Sequence, residues 1–508
     1  MKWTTHKSVF LNVIKSREVI YFMFLLYLVF QFVTLTMSPL PWSDETFYAS
    51  ITLSYQQNHK FYLDWCPICF DFQQILTYGP IYFMINSIII SIFGFGIFQF
   101  RILGLLSGIG CIYISMRIMN SFGVSKNWIH IFASLLALDT VFNQSMRSGR
   151  MDTLALFFVL TAYYIMFTYG YAGRKNIVIY LVYGVSALIA AAALLTTPRT
   201  GYLLLFFPLF HAYRSYRERK LSHLIRFTFW ATVLASTYYV WLLYAFGDIG
   251  SMLNYYKGIH AEQYIGGNFH INIWNLPLLI IFCLCCVLII LCNNNKKYVI
   301  LLTWCIMNTL LYFSLVANPA VENYMAFCIP FIYMLIIFVL NNVSMRKWFV
   351  VCCISILFLI NITIFGIRST ICVVRADQRD SGIIDEIMAE YIPEGSRVLG
   401  DNVYFYSVRK NGGQFRSVAN PGKRRSVEVE MEYYGKKYNF DYMILNDKNW
   451  KSNEVFNGFC KEFSFEVVKV INTDKKYRGF MAMVNEGLRK FGNVKGYDGV
   501  ILRRLRDS

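Results

Sequence analysis

Two neighbouring carboxylates offer the most direct chemistry in this chain. In Pro41-Trp42-Ser43-Asp44-Glu45-Thr46-Phe47-Tyr48, Asp44 and Glu45 stand just past an apolar run that ends near residue 38. An ordinary aspartate, with a pKa of about 3.9, is ionised at neutral pH and can orient and deprotonate a hydroxyl. The same residues could instead start a helix, with Ser43 as its cap and both acids favourable in the first turn. The sequence leaves both readings open. Cations are the second ingredient. Arg101, Arg147, Arg150, Arg199 and Lys257 lie at or between the ends of apolar runs. Arginine grips phosphate oxygens with a bidentate fork, although arginines at such ends also snorkel toward lipid headgroups. Trp65-Cys66-Pro67-Ile68-Cys69 is a third motif, without the β-α-β context of a thioredoxin-type redox centre. A local disulfide between Cys66 and Cys69, a zinc half-site and free thiols are its open readings, the disulfide preferred for an oxidising compartment. His260 and His270 lack a supporting ligand set, so no metal site is read; a divalent metal requirement is left open.

Apolar elements must position these groups. The chain has 508 residues, 56% hydrophobic and 15% charged, against about 25% charged in soluble domains. Residues 1–367 hold 23 of the 48 Lys and Arg, and 368–508 hold the remaining 25 in far less length. This shift predicts a membrane part, 1–367, and a C-terminal soluble domain, 368–508. The net charge of +18 does not imply nucleic acid: the basic residues of the membrane part lie in short loops, and the tail balances 25 of them against 19 acids. Stretches of about 20 apolar residues predict eleven spans, near 18–38, 98–119, 128–146, 152–170, 176–195, 198–213, 226–246, 272–292, 297–317, 320–341 and 347–367. The apolar run 79–95 is expected to lie along the outer interface. Placed so, the inner loops collect 17 basic residues and the outer ones 6, in keeping with the positive-inside rule. The N-terminus is then cytoplasmic, and the long first loop (39–97) and the tail are extracytoplasmic. Asp139 falls near the outer end of the third span. In the tail, Ser381–Tyr391 and Val427–Tyr438 read as helices, and Arg397–Gly400, Asp441–Leu445, Phe463–Ile471 and Gly479–Val484 as strands of a small α/β domain.

Asp44-Glu45-Thr46-Phe47-Tyr48-Ala49-Ser50-Ile51, then Tyr78-Gly79-Pro80-Ile81-Tyr82-Phe83, Phe93-Gly94 and Arg101, together resemble the GT-C glycosyltransferases. More narrowly, the chain is similar to the protein O-mannosyltransferase, aminoarabinose-transferase and Rgt-type group that uses polyprenyl-phosphate sugars. Ser148-Gly149-Arg150-Met151-Asp152, Thr197-Pro198-Arg199 and Ile392-Pro393-Glu394-Gly395-Ser396-Arg397-Val398 extend the resemblance over nearly the whole chain. It implies an all-α polytopic membrane domain, with interfacial helices in a catalytic first outer loop, followed by the α/β domain. It implies Asp44 as principal catalytic carboxylate with Glu45 beside it. Donor phosphate or substrate contacts are expected from Arg150, Asp152, Arg199, Arg147, Lys257 and Tyr82. The sugar would pass, with inversion, from a polyprenyl-phosphate or dolichyl-phosphate-like donor to a hydroxyl of a glycan, lipid or protein, at a bacterial inner membrane. One departure is visible: the family's paired prolines after a basic residue are here Tyr78-Gly79-Pro80. A flippase or transporter of lipid-linked sugars, and an inactive scaffold on a transferase fold, are the competing functions. Transporters keep ionisable groups near the bilayer midplane, whereas the acids here sit in a loop.

Overall fold

A computed structural model describes residues 17–65, 74–170, 176–263, 275–292, 299–316, 322–342, 347–418, 439–446, 450–473, 483–484, 486 and 496–505. Cys66, Cys69, His270, the 427–438 stretch and residues 479–482 fall outside them. Every predicted span contains helix. Arg17–Val33 comes first, followed after the first loop by Ile97–Ser121, Asp152–Tyr169, Asn176–Leu194, Ser222–Phe246, Leu276–Cys292 and Lys347–Val374, with shorter pieces between. Among the described residues five helices are long and apolar enough to cross a membrane, and outward-facing Ile177, Leu181, Val185 and Leu188, with Val351, Leu359 and Ile362, form a surface suited to lipid. The chain is an integral membrane protein.

Three spans are interrupted where unbroken helices were expected. The third divides into Lys126–Leu138 and Thr140–Arg147, because Asp139 accepts a hydrogen bond from Phe142 N at 2.9 Å and so caps a new helix. Its other carboxylate oxygen accepts from the Tyr333 hydroxyl at 3.0 Å. Pro198–Thr200 is a 3-10 turn ahead of Gly201–Leu204 and Phe206–Glu218. Glu322–Phe327 is a 3-10 segment before the helix Ile329–Asn342. These irregular turns carry side chains that a straight helix would point elsewhere.

The first loop contributes the helices Ser43–Asn58 and Ile81–Phe93. The second has 13 residues, roughly 20 Å at helical rise, against a hydrocarbon core of about 30 Å. Met84, Ile88 and Ile92, four residues apart, are exposed along one stripe while Tyr82, Phe83 and Ile90 are buried. A short helix with one apolar face outward suits the interface.

In the C-terminal region the predicted helix Ser381–Tyr391 forms with those bounds, capped by Asp380. The strands β1 (Arg397–Gly400), β2 (Gln414–Ser417), β3 (Tyr442–Leu445), β4 (Phe465–Ile471) and β5 (Gly499–Arg504) stand in the order β2-β1-β3-β5-β4. β1 runs parallel to β2 and β3; β5 is antiparallel to β3 and β4. The four-residue β2 and the late β5 were not predicted. One apolar core joins this sheet to the first loop: Tyr48, Phe61, Trp65, Tyr82 and Phe100 pack in the same cluster as Val398, Leu399, Met443 and Leu502.

Candidate active site

The helix Ser43–Asn58 starts after Pro39 and Pro41, yet neither the serine nor the acids cap it. Trp42 occupies the cap position without a side-chain bond, and Thr46 N donates to Trp42 O at 3.1 Å. Both carboxylates instead meet arginines. Consecutive residues on a helix point roughly 100° apart, and that divergence separates the pair. Asp44 faces outward, its side chain 33% exposed, in an ion pair with Arg150 Nη1. Glu45 faces inward, wholly buried, its two oxygens 2.6 Å and 2.7 Å from Nε and Nη2 of Arg101. Arg101 Nη1 donates further to the carbonyls of Leu35 and Pro39, both at 2.8 Å. Burial pushes the Glu45 carboxyl above the usual range while Arg101 pulls it back. The expected catalytic pairing is thus divided: Asp44 opens to the surface, and Glu45 ties the helix to Arg101.

Arg150 comes from the turn before the helix Asp152–Tyr169. Its Nε lies 2.5 Å from Asp152 Oδ2, so one guanidinium bridges two aspartates. Gly149 makes this turn: its φ is +58°, and a Cβ there would stand 2.8 Å from Phe100 Cδ1 and 3.0 Å from Glu45 Cγ. Tyr82 pins the turn by donating to Gly149 O at 2.6 Å. Its hydroxyl proton is engaged by the backbone, so Tyr82 shapes the site where a substrate contact was expected.

Aromatic rings surround the guanidinium. Trp42, Tyr324 and Tyr48 lie 5.5, 5.0 and 5.9 Å from it, centroid to carbon. Arg199, from the 3-10 turn after Thr197, stacks on Tyr324 at 4.2 Å and on Tyr78 at 5.7 Å. Tyr48 donates to the Tyr78 hydroxyl at 3.4 Å. Tyr324 therefore brings Arg150 and Arg199 to one ring. Within this group Arg150 Nη2 and Asp152 Oδ1 are buried without a hydrogen-bond partner among the described residues. A donor and an acceptor in one buried ion pair are thus left for a polar ligand.

Other expected contacts lie elsewhere. Arg147 directs all five N–H donors into the end of the first helix: Nε to Ser38 O at 3.0 Å, Nη1 to Gln31 O at 3.0 Å and to Gln31 Oε1, and Nη2 to Thr34 O and Oγ1 at 2.5 and 3.0 Å. None remains for a phosphate. Arg101 is engaged by Glu45. Lys257 is exposed on the helix Ile249–Gln263, which is fastened to the first loop by Tyr255, and the ion pairs of Asp44 and Arg150 among the described residues do not include it. Among the described residues no group of three or more His, Cys, Asp or Glu stands together as a metal site. Trp42, Tyr48 and Tyr78 were read from the sequence only as members of motifs, without a role for their rings, and Tyr324 was not singled out.

No protein-family model and no curated protein matches the sequence. Solved structures do resemble it. ArnT from Cupriavidus metallidurans in the apo state superposes with a TM-score of 0.61 at 13% identity, covering 96% of this chain and 98% of that one. ArnT bound to undecaprenyl phosphate gives 0.60 at 12%, covering 97% and 99%. The arabinofuranosyltransferase AftD from mycobacteria gives 0.50 at 12%, over 97% of this chain and 40% of that longer one. At these identities the likeness speaks for architecture alone: the chain shares the fold of these structures.

Proposed function

We propose that the chain is a membrane glycosyltransferase that moves a sugar from a polyprenyl-phosphate donor to an acceptor hydroxyl on the extracytoplasmic face, with inversion. The observation that carries this reading is the pairing of one partly exposed carboxylate, Asp44, with a guanidinium, Arg150, whose Nη2 has no partner among the described residues. Asp44 receives the proton of the acceptor hydroxyl as its oxygen bonds to the anomeric carbon. The bond from that carbon to the phosphate oxygen breaks on the opposite side, and the phosphate leaves as an anion. Phosphate is a competent leaving group, so it requires fixed cations rather than a general acid. Arg150 and Arg199 supply them, and Asp152 orients Arg150 and accepts a hydrogen bond from the sugar.

A phosphate arriving at Arg150 competes with Asp44 for the same guanidinium. Donor binding therefore frees the carboxylate when it is needed. ArnT, whose fold this chain shares, has been captured with undecaprenyl phosphate, which supports that donor class. A glycan, lipid or protein hydroxyl is the acceptor, and a bacterial inner membrane is the expected setting.

Mass spectrometry of cell-envelope glycans, with and without the gene, tests the reading. Loss of a glycosylated species on deletion, restored by the wild-type gene but not by Asp44→Asn at equal abundance in the membrane, is expected. Full restoration by Asp44→Asn would overturn the role of this acid and favour transport.

A further inference from the structure

The C-terminal region reaches Glu45 of the candidate active site through Tyr406. Tyr406 lies on the short helix Phe405–Lys410, which directly follows β1 and a 3-10 turn. It is 2% exposed, and its hydroxyl donates to Glu45 Oε1 at 3.3 Å. The ring stacks on Phe95 of the first loop at 5.3 Å, the planes 22° apart, and leans on Phe100 at 6.1 Å. Phe405 meets Phe95 edge-on at 6.0 Å. Glu45 Oε1 thus receives two donors, Arg101 from a membrane helix and Tyr406 from the short helix between β1 and β2. Glu45 is joined to Asp44 by one peptide bond, and its Cγ also backs Gly149, the residue before Arg150. Whatever fixes Glu45 fixes both partners of the Asp44–Arg150 pair.

We propose that Tyr406 is a positioning residue of this site: its hydroxyl holds Glu45, and through it the Asp44 helix, in register with the Arg150 turn, so that transfer depends on the docked sheet. The proposal rests on the transferase reading for its kinetic consequence, whereas the Tyr406–Glu45 coupling stands apart from it. A buried carboxylate that loses one of two donors keeps a partner but gains freedom to tilt. At the reacting atoms, small displacements cost far more rate than binding.

The test uses the purified full chain and the donor and acceptor identified by the glycan comparison. Tyr406→Phe keeps the ring stack and removes the hydroxyl. It should lower kcat per folded molecule about tenfold or more, with the donor KM within about twofold. Lys410→Ala, at the end of the same short helix, loses only a surface ion pair with Asp385 of the helix Ser381–Tyr391 and should keep wild-type kcat. An unchanged kcat in Tyr406→Phe, or an equal fall in Lys410→Ala, overturns the proposal. Should Tyr406→Phe not fold, Phe95→Leu, which leaves the hydroxyl but removes the ring beneath it, should lower kcat at least threefold with donor KM unmoved; no fall sinks the idea. Thermal unfolding of Tyr406→Phe, Glu45→Gln and the double variant needs no substrate. Tm losses smaller in the double variant than their sum are expected, and simple additivity counts against the coupling. If the wild type transfers nothing yet the losses are non-additive, the function fails while the contact stands.

Discussion

Asp44 and Glu45 are chemically alike, and their roles follow from a rotation of roughly 100° along one helix. The outward acid can meet an incoming hydroxyl. The inward one is locked in a bidentate pair with Arg101 and is wholly buried. Removing half of such a buried pair leaves an uncompensated charge, at a cost of about 3–5 kcal/mol. Glu45→Ala should therefore lower the thermal midpoint and the folded yield, whereas Asp44→Asn should leave both near wild type and remove transfer. Fluorescence-detected gel filtration and thermal unfolding in detergent read the difference. Arg199 makes its described contacts through the faces of Tyr324 and Tyr78, and its N–H edges are the donors proposed for phosphate. Losing a charge-assisted contact of about 1.5–3 kcal/mol, Arg199→Gln should raise the donor KM roughly ten- to a hundredfold. The acceptor KM should hold, and equal rises in both would remove Arg199 from the donor site. The acids and arginines were legible because charge is scarce in an apolar chain. Tyr324 was not: it is one of 36 tyrosines, and nothing in its neighbours marks it.

At the scale of elements, the site is assembled by departures from regular helix. Asp139 ends one helix and caps the next, Pro198 begins a tight turn that presents Arg199, and the 3-10 segment Glu322–Phe327 carries Tyr324. Hydropathy reports where apolar segments run, not where their hydrogen-bond ladder breaks, so the spans could be read and these turns could not. The Gly149 turn is the exception, since a glycine between polar residues at a helix start is itself a signal. A left-handed residue with a Cβ costs about 1–2 kcal/mol, and here the added carbon also presses on Phe100 and Glu45. Gly149→Ala should thus lower Tm and, by displacing Arg150, reduce transfer by more than the lost folded fraction. A loss of activity no larger than the loss of folded protein would mean that the turn only stabilises. Gly79 is a second close approach: a Cβ would lie 2.0 Å from Leu195 O, while Ile81 N donates to that oxygen at 3.2 Å. The segment where paired prolines were expected is thereby joined to the end of the helix Asn176–Leu194, and its tyrosine stacks on Arg199.

For the whole molecule, contact between distant parts of the chain constrains how it threads a bilayer. Tyr406 touches Glu45, and Ser417 N donates to Trp65 O at 3.0 Å, so the sheet and the first loop share one side of the membrane. An even number of crossings must then separate them. The ten spans expected from the sequence between Ile97 and Val374 meet this condition if Ile81–Phe93 lies along the interface, as its outward apolar stripe suits. Packing and loop charge reach the same parity by independent routes: neither seventeen basic residues against six nor a tyrosine on a glutamate depends on the other. What contact alone leaves open is which side that is; the proposal of the exterior rests on the basic loops. Alkaline phosphatase fused after Ser508 should accordingly be active in a bacterial host, and a green fluorescent protein fused there should stay dark. The opposite pair of results would turn the molecule over. Asp44 would then face the cytoplasm together with the sheet, and the extracytoplasmic acceptor would have to be given up while the Asp44–Arg150–Arg199 chemistry remained.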